Sequence, residues 1–194
     1  ASAFVALGVK EQESIGIFSQ NKPEWFYTDF AAFANRAITI PFYATSSPAQ
    51  AQYIINDAEI RFLFVGEQYQ YDAAFNVFGL CASLQQLIIF DRSVVKDPRD
   101  VSSIYFDEFM ALGEGLPHND EVEERTSRAS YDDLANILYT SGTTGEPKGV
   151  MLHHSCYLEQ FYAHDERLTT MTDKDVSINF LPLTHVFEKA WCYL

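Results

Sequence analysis

Ala135-Asn-Ile-Leu-Tyr139-Thr-Ser-Gly-Thr-Thr-Gly-Glu-Pro-Lys-Gly-Val150 joins a short apolar run to a run of glycines, hydroxyls and one lysine. Ala135 to Leu138 reads as a buried strand. Beyond it Thr140, Ser141, Thr143 and Thr144 supply hydroxyls, Gly142 and Gly145 interleave with them, and Lys148 follows. Glycines let a backbone bend tightly and bring its N–H groups close to a ligand. Hydroxyls and N–H groups donate to phosphate oxygens, and a lysine adds a mobile point charge. A loop that grips a polyphosphate needs these parts. It is not the P-loop, which sets two glycines five apart with Lys-Ser/Thr directly after the second. Here Pro147 stands five residues after Gly142, and Lys148 precedes Gly149. The ordinary alternative is a hydrophilic surface turn, since these residue types are common in loops.

Outward from this stretch, short apolar runs alternate with amphipathic ones. Ser14–Phe18 reads as a strand. Asn21-Lys-Pro-Glu24 reads as a helix start with Asn21 as N-cap, and Phe26, Phe30, Phe33 and Ala37 then recur at helical spacing as its apolar face. Ala37–Phe42 is the next strand. Ser47 and Pro48 open a helix ending near Asp57; Arg61–Val65 and Leu87–Phe90 are strands with a helix around Tyr69–Phe78 between them. This alternation predicts an α/β fold, a mostly parallel sheet flanked by helices. Residues from about 107 to 130 are expected to form an acidic connecting loop, interrupted by Gly113, Gly115 and Pro117. After the glycine-rich loop come a helix from His154 to about Arg167 and a strand at Val176–Phe180.

At 194 residues the chain can hold one sizeable core. A formal charge of −14 argues against a nucleic-acid partner, because neutralising a phosphate backbone takes clustered Lys and Arg. Nucleotide binding stays open, since a local loop and a metal ion can handle a triphosphate. Three cysteines, Cys81, Cys156 and Cys192, are far apart and odd in number, which points to reduced thiols and a cytoplasmic setting. No apolar run approaches the roughly 20 residues of a membrane helix, and Ala1–Val9 lacks the basic start of a signal peptide. His153, His154 and Cys156 lack a second ligand pair at zinc spacing. Asp132 and Asp133 are adjacent, so on a strand they would point to opposite faces, which favours a loop or edge role over an acid–base pair.

From Asp133 through Leu152 the chain resembles the phosphate-binding signature of the adenylate-forming (acyl-activating, AMP-binding) superfamily. That group includes acyl-CoA synthetases, luciferases and peptide-synthetase adenylation domains. Asn136 departs from it, where these proteins often carry Thr. A second string, Leu181-Pro-Leu-Thr-His185-Val-Phe187-Glu188, reads alone as a strand end, a turn and an opening helix, and a lone histidine of this kind is ordinarily structural. Beside the loop, it resembles the second core motif of acyl-CoA synthetases, most like the long-chain fatty acid–CoA ligases. Ile17-Phe-Ser-Gln-Asn-Lys-Pro-Glu-Trp25, Ile40-Pro-Phe-Tyr-Ala-Thr45 and Tyr53-Ile-Ile-Asn-Asp57 resemble scaffold landmarks of the same ligases. Where these usually carry a glycine shortly before that Pro41, Ala34-Asn35-Arg36 stand instead.

The resemblance implies attack of a fatty acid carboxylate on the α-phosphorus of ATP, then thioester formation with coenzyme A. It implies that Thr140, Ser141, Gly142, Thr143, Thr144, Gly145 and Lys148 hold the phosphates, with Thr140 as the Mg²⁺ contact. His185 would orient the carboxylate or donate to the phosphate, and Phe187 would line the acyl pocket. It further implies that residues 1–194 are part of a large N-terminal domain. The adenine- and ribose-binding motifs and the lysine-bearing C-terminal domain would lie outside them, so that this chain alone does not turn over. The partners are then small molecules, with the oligomeric state open. An acyl substrate that partitions into lipid is compatible with a peripheral membrane association, which no basic amphipathic segment here supports. Two alternatives stand beside this reading: another adenylate-forming enzyme, such as an aryl-CoA ligase or a peptide-synthetase adenylation domain, and a non-catalytic nucleotide-binding module.

Overall fold

The computed structural model describes residues 1–114, 118–140, 146–172 and 174–193. In chain order its elements are α1 (Ser2–Ala6), β1 (Ser14–Phe18), α2 (Pro23–Ala34), β2 (Ile38–Phe42), α3 (Pro48–Asp57), β3 (Phe62–Val65), α4 (Gln68–Phe78) and β4 (Gln86–Ile89). There follow β5 (Ile104–Tyr105), α5 (Phe106–Ala111), α6 (His118–Ser127), β6 (Leu134–Thr140), β7 (Lys148–His153), α7 (His154–Arg167) and α8 (Val186–Tyr193). The strands form one sheet in the order β5-β4-β3-β1-β2-β6-β7. Every pairing is parallel except β6 with β7, which is antiparallel. The expected α/β architecture is therefore present: α2, α3 and α4 form the crossovers among β1 to β4, while the parallel β4–β5 pair is joined by an irregular segment, residues 90–103.

Side chains alternate across the sheet and fill two cores. Ile15, Ile17, Phe62, Phe64 and Ile88 face α1, α2 and α5 on one side. Phe18, Ile40, Phe42, Leu63 and Val65 face α3 and α4 on the other. Strands buried on both faces read as continuous apolar runs, which is why they were legible. Because β2 lies to one side of β1 and β3 to the other, the connections leaving β1 and β3 depart over opposite faces. Such a reversal opens a crevice at the carboxyl ends of the strands, where open α/β sheets take ligands.

Several expectations are corrected. The buried face of α2 is Trp25, Thr28, Asp29 and Ala32 rather than the aromatic stripe; Phe30 is 54% exposed. Both sets have helical spacing, and the polar one wins because its polar atoms find partners inside. The residue preceding α2 at its N-cap is Lys22, not Asn21, whose side chain is used elsewhere. The acidic segment 107–130 is not simply a loop. Phe109 is buried on α5, and Arg125 of α6 donates to the Val9 carbonyl at 2.8 Å and to Asn35 Oδ1 at 3.2 Å, which tethers the helix. Val176–Phe180 is not in the sheet: it has no regular structure, with Val176, Ile178 and Phe180 exposed. No neighbouring strand takes up its backbone groups among the described residues.

Arg36 resolves the missing glycine. Its φ is +55°, the left-handed region that glycine favours. A guanidinium offsets the strain there: Nε and Nη2 donate to the two Asp133 oxygens at 2.8 and 2.9 Å, and Nη1 donates to Glu11 at 2.6 Å. Asp133 thus has an edge role, tying β2 to the start of β6.

Candidate active site

Thr140 ends β6, and Lys148 begins β7 directly opposite it in the register. The two are exposed cross-strand partners, so the chain between them closes a hairpin at the carboxyl edge of the sheet. Ser141, Gly142, Thr143, Thr144 and Gly145 lie outside the described residues. Gly149 sits opposite Tyr139, and a Cβ there would stand 2.7 Å from Ile137 Cγ2. That is closer than packed carbon atoms approach, so only glycine lets β7 lie flat against β6.

Tyr139, the residue before Thr140, points away from the hairpin mouth into the α3 side of the core. Its hydroxyl donates to Asp57 Oδ2 at 2.5 Å, and burial together with that carboxylate pushes its pKa well up. The Tyr53–Asp57 landmark thereby anchors the end of β6 through Asp57.

The second string reaches the same edge. Asn21, just past the carboxyl end of β1, donates through Nδ2 to the Leu181 carbonyl at 2.8 Å and to Asn179 Oδ1 at 2.6 Å. Its Oδ1 accepts the Leu183 N–H at 3.0 Å. Leu183 is fully buried, and beside it lies a cavity of about 410 Å³ lined by Ser19, Asn21, Tyr43, Thr45, Leu183 and Thr184. This cavity lies over the carboxyl ends of β1 and β2, beside the β1/β3 reversal.

His185 is exposed, and its Nδ1 accepts the Phe187 N–H at 3.3 Å, capping the first turn of α8. With Nδ1 occupied as acceptor, the neutral ring carries its proton on Nε2, free to donate outward. Phe187 is half-exposed, its ring parallel to that of Trp191 with centroids 6.4 Å apart. It borders a cavity of about 180 Å³ between α7 and α8, with Leu152, Tyr157, Gln160, His164 and Ala190. The structure thus sets Thr140 opposite Lys148, pins the string leading to His185 to Asn21 beyond the carboxyl end of β1, and places Phe187 against a cavity that reaches Leu152 of β7.

A family model described as AMP-binding enzyme matches residues 1–194. The chain belongs to the AMP-binding enzyme family. Among curated relatives, fatty acyl-CoA synthetase A of Dictyostelium discoideum is 32% identical over 203 residues, covering 100% of this chain and 29% of that protein. Long chain acyl-CoA synthetase 4 of Arabidopsis thaliana is 27% identical, covering 95% of this chain and 28% of that protein. The chain therefore spans under a third of the length of these relatives. A solved long-chain-fatty-acid-CoA ligase from Archaeoglobus fulgidus superposes with a TM-score of 0.71 at 23% identity, over 98% of this chain and 34% of that one, and has the same fold.

Three features of this AMP-binding family member escaped sequence reasoning. Asn21 has the residue type of a helix cap, but its side chain holds the segment 179–183 instead. Asp29 was hidden in the polar half of α2, although a carboxylate spaced with Trp25, Thr28 and Ala32 marks a second stripe. Asn136, noted only as a departure, is fully buried and joins Thr39 to Tyr157. His153 and His154 sit where the hairpin meets α7: His153 Nδ1 lies 2.6 Å from the Asp132 carbonyl, and His154 packs edge-on against Phe33.

Proposed function

We propose that residues 1–194 are part of the large N-terminal domain of a long-chain fatty acid–CoA ligase. The enzyme activates a fatty acid with ATP to an acyl-adenylate and pyrophosphate, then transfers the acyl group to coenzyme A. One observation carries the reading: the Thr140–Lys148 hairpin and the Asn21-pinned string with His185 share the carboxyl edge of the sheet. The relatives, a fatty acyl-CoA synthetase and a long chain acyl-CoA synthetase, support the substrate class.

In the first step a carboxylate oxygen bonds to the α-phosphorus as the bond to the β-phosphate bridging oxygen breaks. Two anions meet, so the barrier is electrostatic and positional. Lys148 and the loop donors Ser141, Thr143 and Thr144, with the N–H groups of Gly142 and Gly145, hold the departing pyrophosphate. His185 Nε2–H donates to the carboxylate or α-phosphate oxygen. In the second step the thiol sulfur attacks the acyl carbon, AMP leaves, and the thiol proton goes to solvent or base.

Among the described residues no group of three His, Cys, Asp or Glu side chains is placed to hold a metal. The exposed Thr140 hydroxyl fits a Mg²⁺ that keeps its waters and phosphate oxygens rather than one in a protein cage. When bound, the ion supplies charge neutralisation of the phosphates. Phe187 and its cavity form one wall of the acyl path; about 180 Å³ is below the roughly 300 Å³ of a ligand cleft, so most of an acyl chain lies elsewhere.

The elements for adenine, ribose and the catalytic lysine belong to the rest of the protein, so the chain alone does not turn over. Pyrophosphate release with ATP, Mg²⁺ and palmitate, measured on the full-length protein and on residues 1–194, tests this. Release by the full-length protein alone is expected. Activity only with aryl or amino acids overturns the substrate class, and release by the short chain overturns the division.

A further inference from the structure

The two motif strings hang on different elements, Thr140 on β6 and His185 ahead of α8, yet a buried polar chain joins those elements. Asn136, four residues before Thr140, donates through Nδ2 to Thr39 Oγ1 and to the Thr39 carbonyl. The Tyr157 hydroxyl donates to Asn136 Oδ1 at 2.7 Å, fixing the amide's orientation from α7. Thr39 Oγ1 donates to Asp29 Oδ1 at 2.6 Å. The other oxygen, Oδ2, accepts Trp25 Nε1–H at 2.9 Å and the Tyr193 hydroxyl, and lies 2.9 Å from Lys189 Nζ. Lys189 is one helical turn past His185, its N–H donating to the His185 carbonyl at 3.0 Å. Asp29, Thr39, Asn136 and Lys189 are all fully buried.

A buried ion pair is a poor stabiliser compared with apolar packing of the same volume, because both charges must leave water. Burial pushes the Lys189 ammonium downward in pKa, and only Asp29 opposes this. What such a pair does supply is geometry: Lys189 Nζ makes no well-aligned hydrogen bond among the described residues, but its ion pair with Asp29 ties α8 to a buried polar network that admits one arrangement, where an apolar interface tolerates several. Its members come from α2, β2, β6, α7 and α8, and two of those elements carry the motif strings.

We propose that Asp29 is a positioning residue that holds β6, with the hairpin it enters, and the helix bearing His185 and Phe187 in one fixed relative placement. This rests on the ligase reading. Its substrate-facing consequence is that Asp29 aligns the pyrophosphate-holding side with the carboxylate-orienting side while touching neither substrate.

The test uses the full-length protein with Thr39→Val, Lys189→Met, the double variant and Lys189→Arg. Thr39→Val removes the hydroxyl at nearly constant shape and costs Asp29 Oδ1 its hydrogen bond but leaves Oδ2 paired with Lys189, so it is the milder change and is expected to fold even where Lys189→Met does not. Thr39 and Lys189 bind opposite oxygens of Asp29, the shortest link between them, so coupling between them reports chiefly on that residue. Each single variant is expected to lower the turnover number for pyrophosphate release ten- to hundredfold, about what a misplacement near 1 Å costs, with ATP affinity within about twofold. The double variant falls no further than the worse single, and Lys189→Arg keeps most activity. Unchanged turnover per folded molecule, or losses that multiply in the double, overturn the inference while leaving the ligase reading intact. A wild-type protein inactive with every carboxylic acid sinks the ligase reading instead. Urea unfolding of the same set then still reads the coupling, and additive effects there overturn the inference whatever the substrate.

Discussion

Asn21 and Leu183 lie 162 residues apart in sequence, and the Leu183 N–H donates to Asn21 Oδ1 at 3.0 Å. One side chain at the end of β1 thereby secures the segment leading to His185. Asn21→Ala deletes this acceptor and the two Nδ2 bonds, and is expected to destabilise the segment by about 1–3 kcal/mol. Amide exchange at Leu183 should speed up while the β1–β3 amides stay protected. Unchanged protection at Leu183 would mean that the segment is held by apolar packing alone.

Lys148 faces Thr140 across the hairpin mouth with its ammonium exposed. In the full-length protein Lys148→Ala should slow pyrophosphate release about 10²–10³-fold, the usual cost of one donor to a developing oxyanion. Lys148→Arg should recover part of it. The measurement is steady-state pyrophosphate release at saturating ATP; wild-type rates in Lys148→Ala would remove this residue from the phosphate site.

The bidentate link from Arg36 lowers the Asp133 carboxyl pKa below its ordinary value. A carboxylate depressed in the folded state adds stability above its unfolded pKa of about 3.9, and that stability is lost as pH falls through the lower folded value. Thermal unfolding should therefore show an acid-side loss below about pH 4 that Asp133→Asn reduces, at the cost of a lower midpoint at pH 7. Arg36→Gly relieves the left-handed backbone by about 1–2 kcal/mol but forfeits three charge-assisted bonds, so a net loss is expected. A more stable Arg36→Gly would show that the ion pairs contribute less than the strain.

The three thiols should label in a set order. Cys156 is exposed, Cys81 is buried with its pKa raised by burial, and Cys192 is pushed up to about 11 by burial and Glu188. At pH 8 only about one Cys192 in a thousand is thiolate. Maleimide labelling followed by peptide mass spectrometry should find Cys156 first. Early modification of Cys192 would mean that α8 does not pack on α2 and α7 in solution.

Tyr139→Phe removes the hydroxyl that Asp57 accepts and should cost about 1–2 kcal/mol in urea unfolding. Gly149→Ala forces a Cβ to within 2.7 Å of Ile137 and should cost about 1–3 kcal/mol. If either change is neutral, the end of β6 has slack that the packing does not show.

Where the sequence was read correctly, the signal was local. Ser14–Phe18 was legible as β1 from its short apolar run, and His154–Arg167 was expected as a helix and is α7. The hairpin was half-read: β6 was visible as an apolar run, but β7 was not, since Lys148, Gly149, Val150 and Met151 are exposed and carry no alternation. α5 and α6 were obscured by acidic composition, although Phe109 and Arg125 anchor them through contacts distant in sequence. The aromatic stripe of α2 is not its buried face, because Thr28 and Asp29 find hydrogen-bond partners inside that hydrophobicity alone does not encode. Phe30 and Phe33 instead border a cavity of about 300 Å³ with Tyr157, Phe161 and Tyr193.

The residues alone determined the alternating strand–helix order, the glycine- and hydroxyl-rich loop and the family it belongs to, because these depend on short-range propensity and on contiguous motifs. The tertiary structure decided what Asn21, Asp29, Arg36 and Asn136 are for. A polar side chain acquires its role from the donors and acceptors that folding brings to it. Those lie tens to more than a hundred residues away, on strands whose order in the sheet no local pattern encodes.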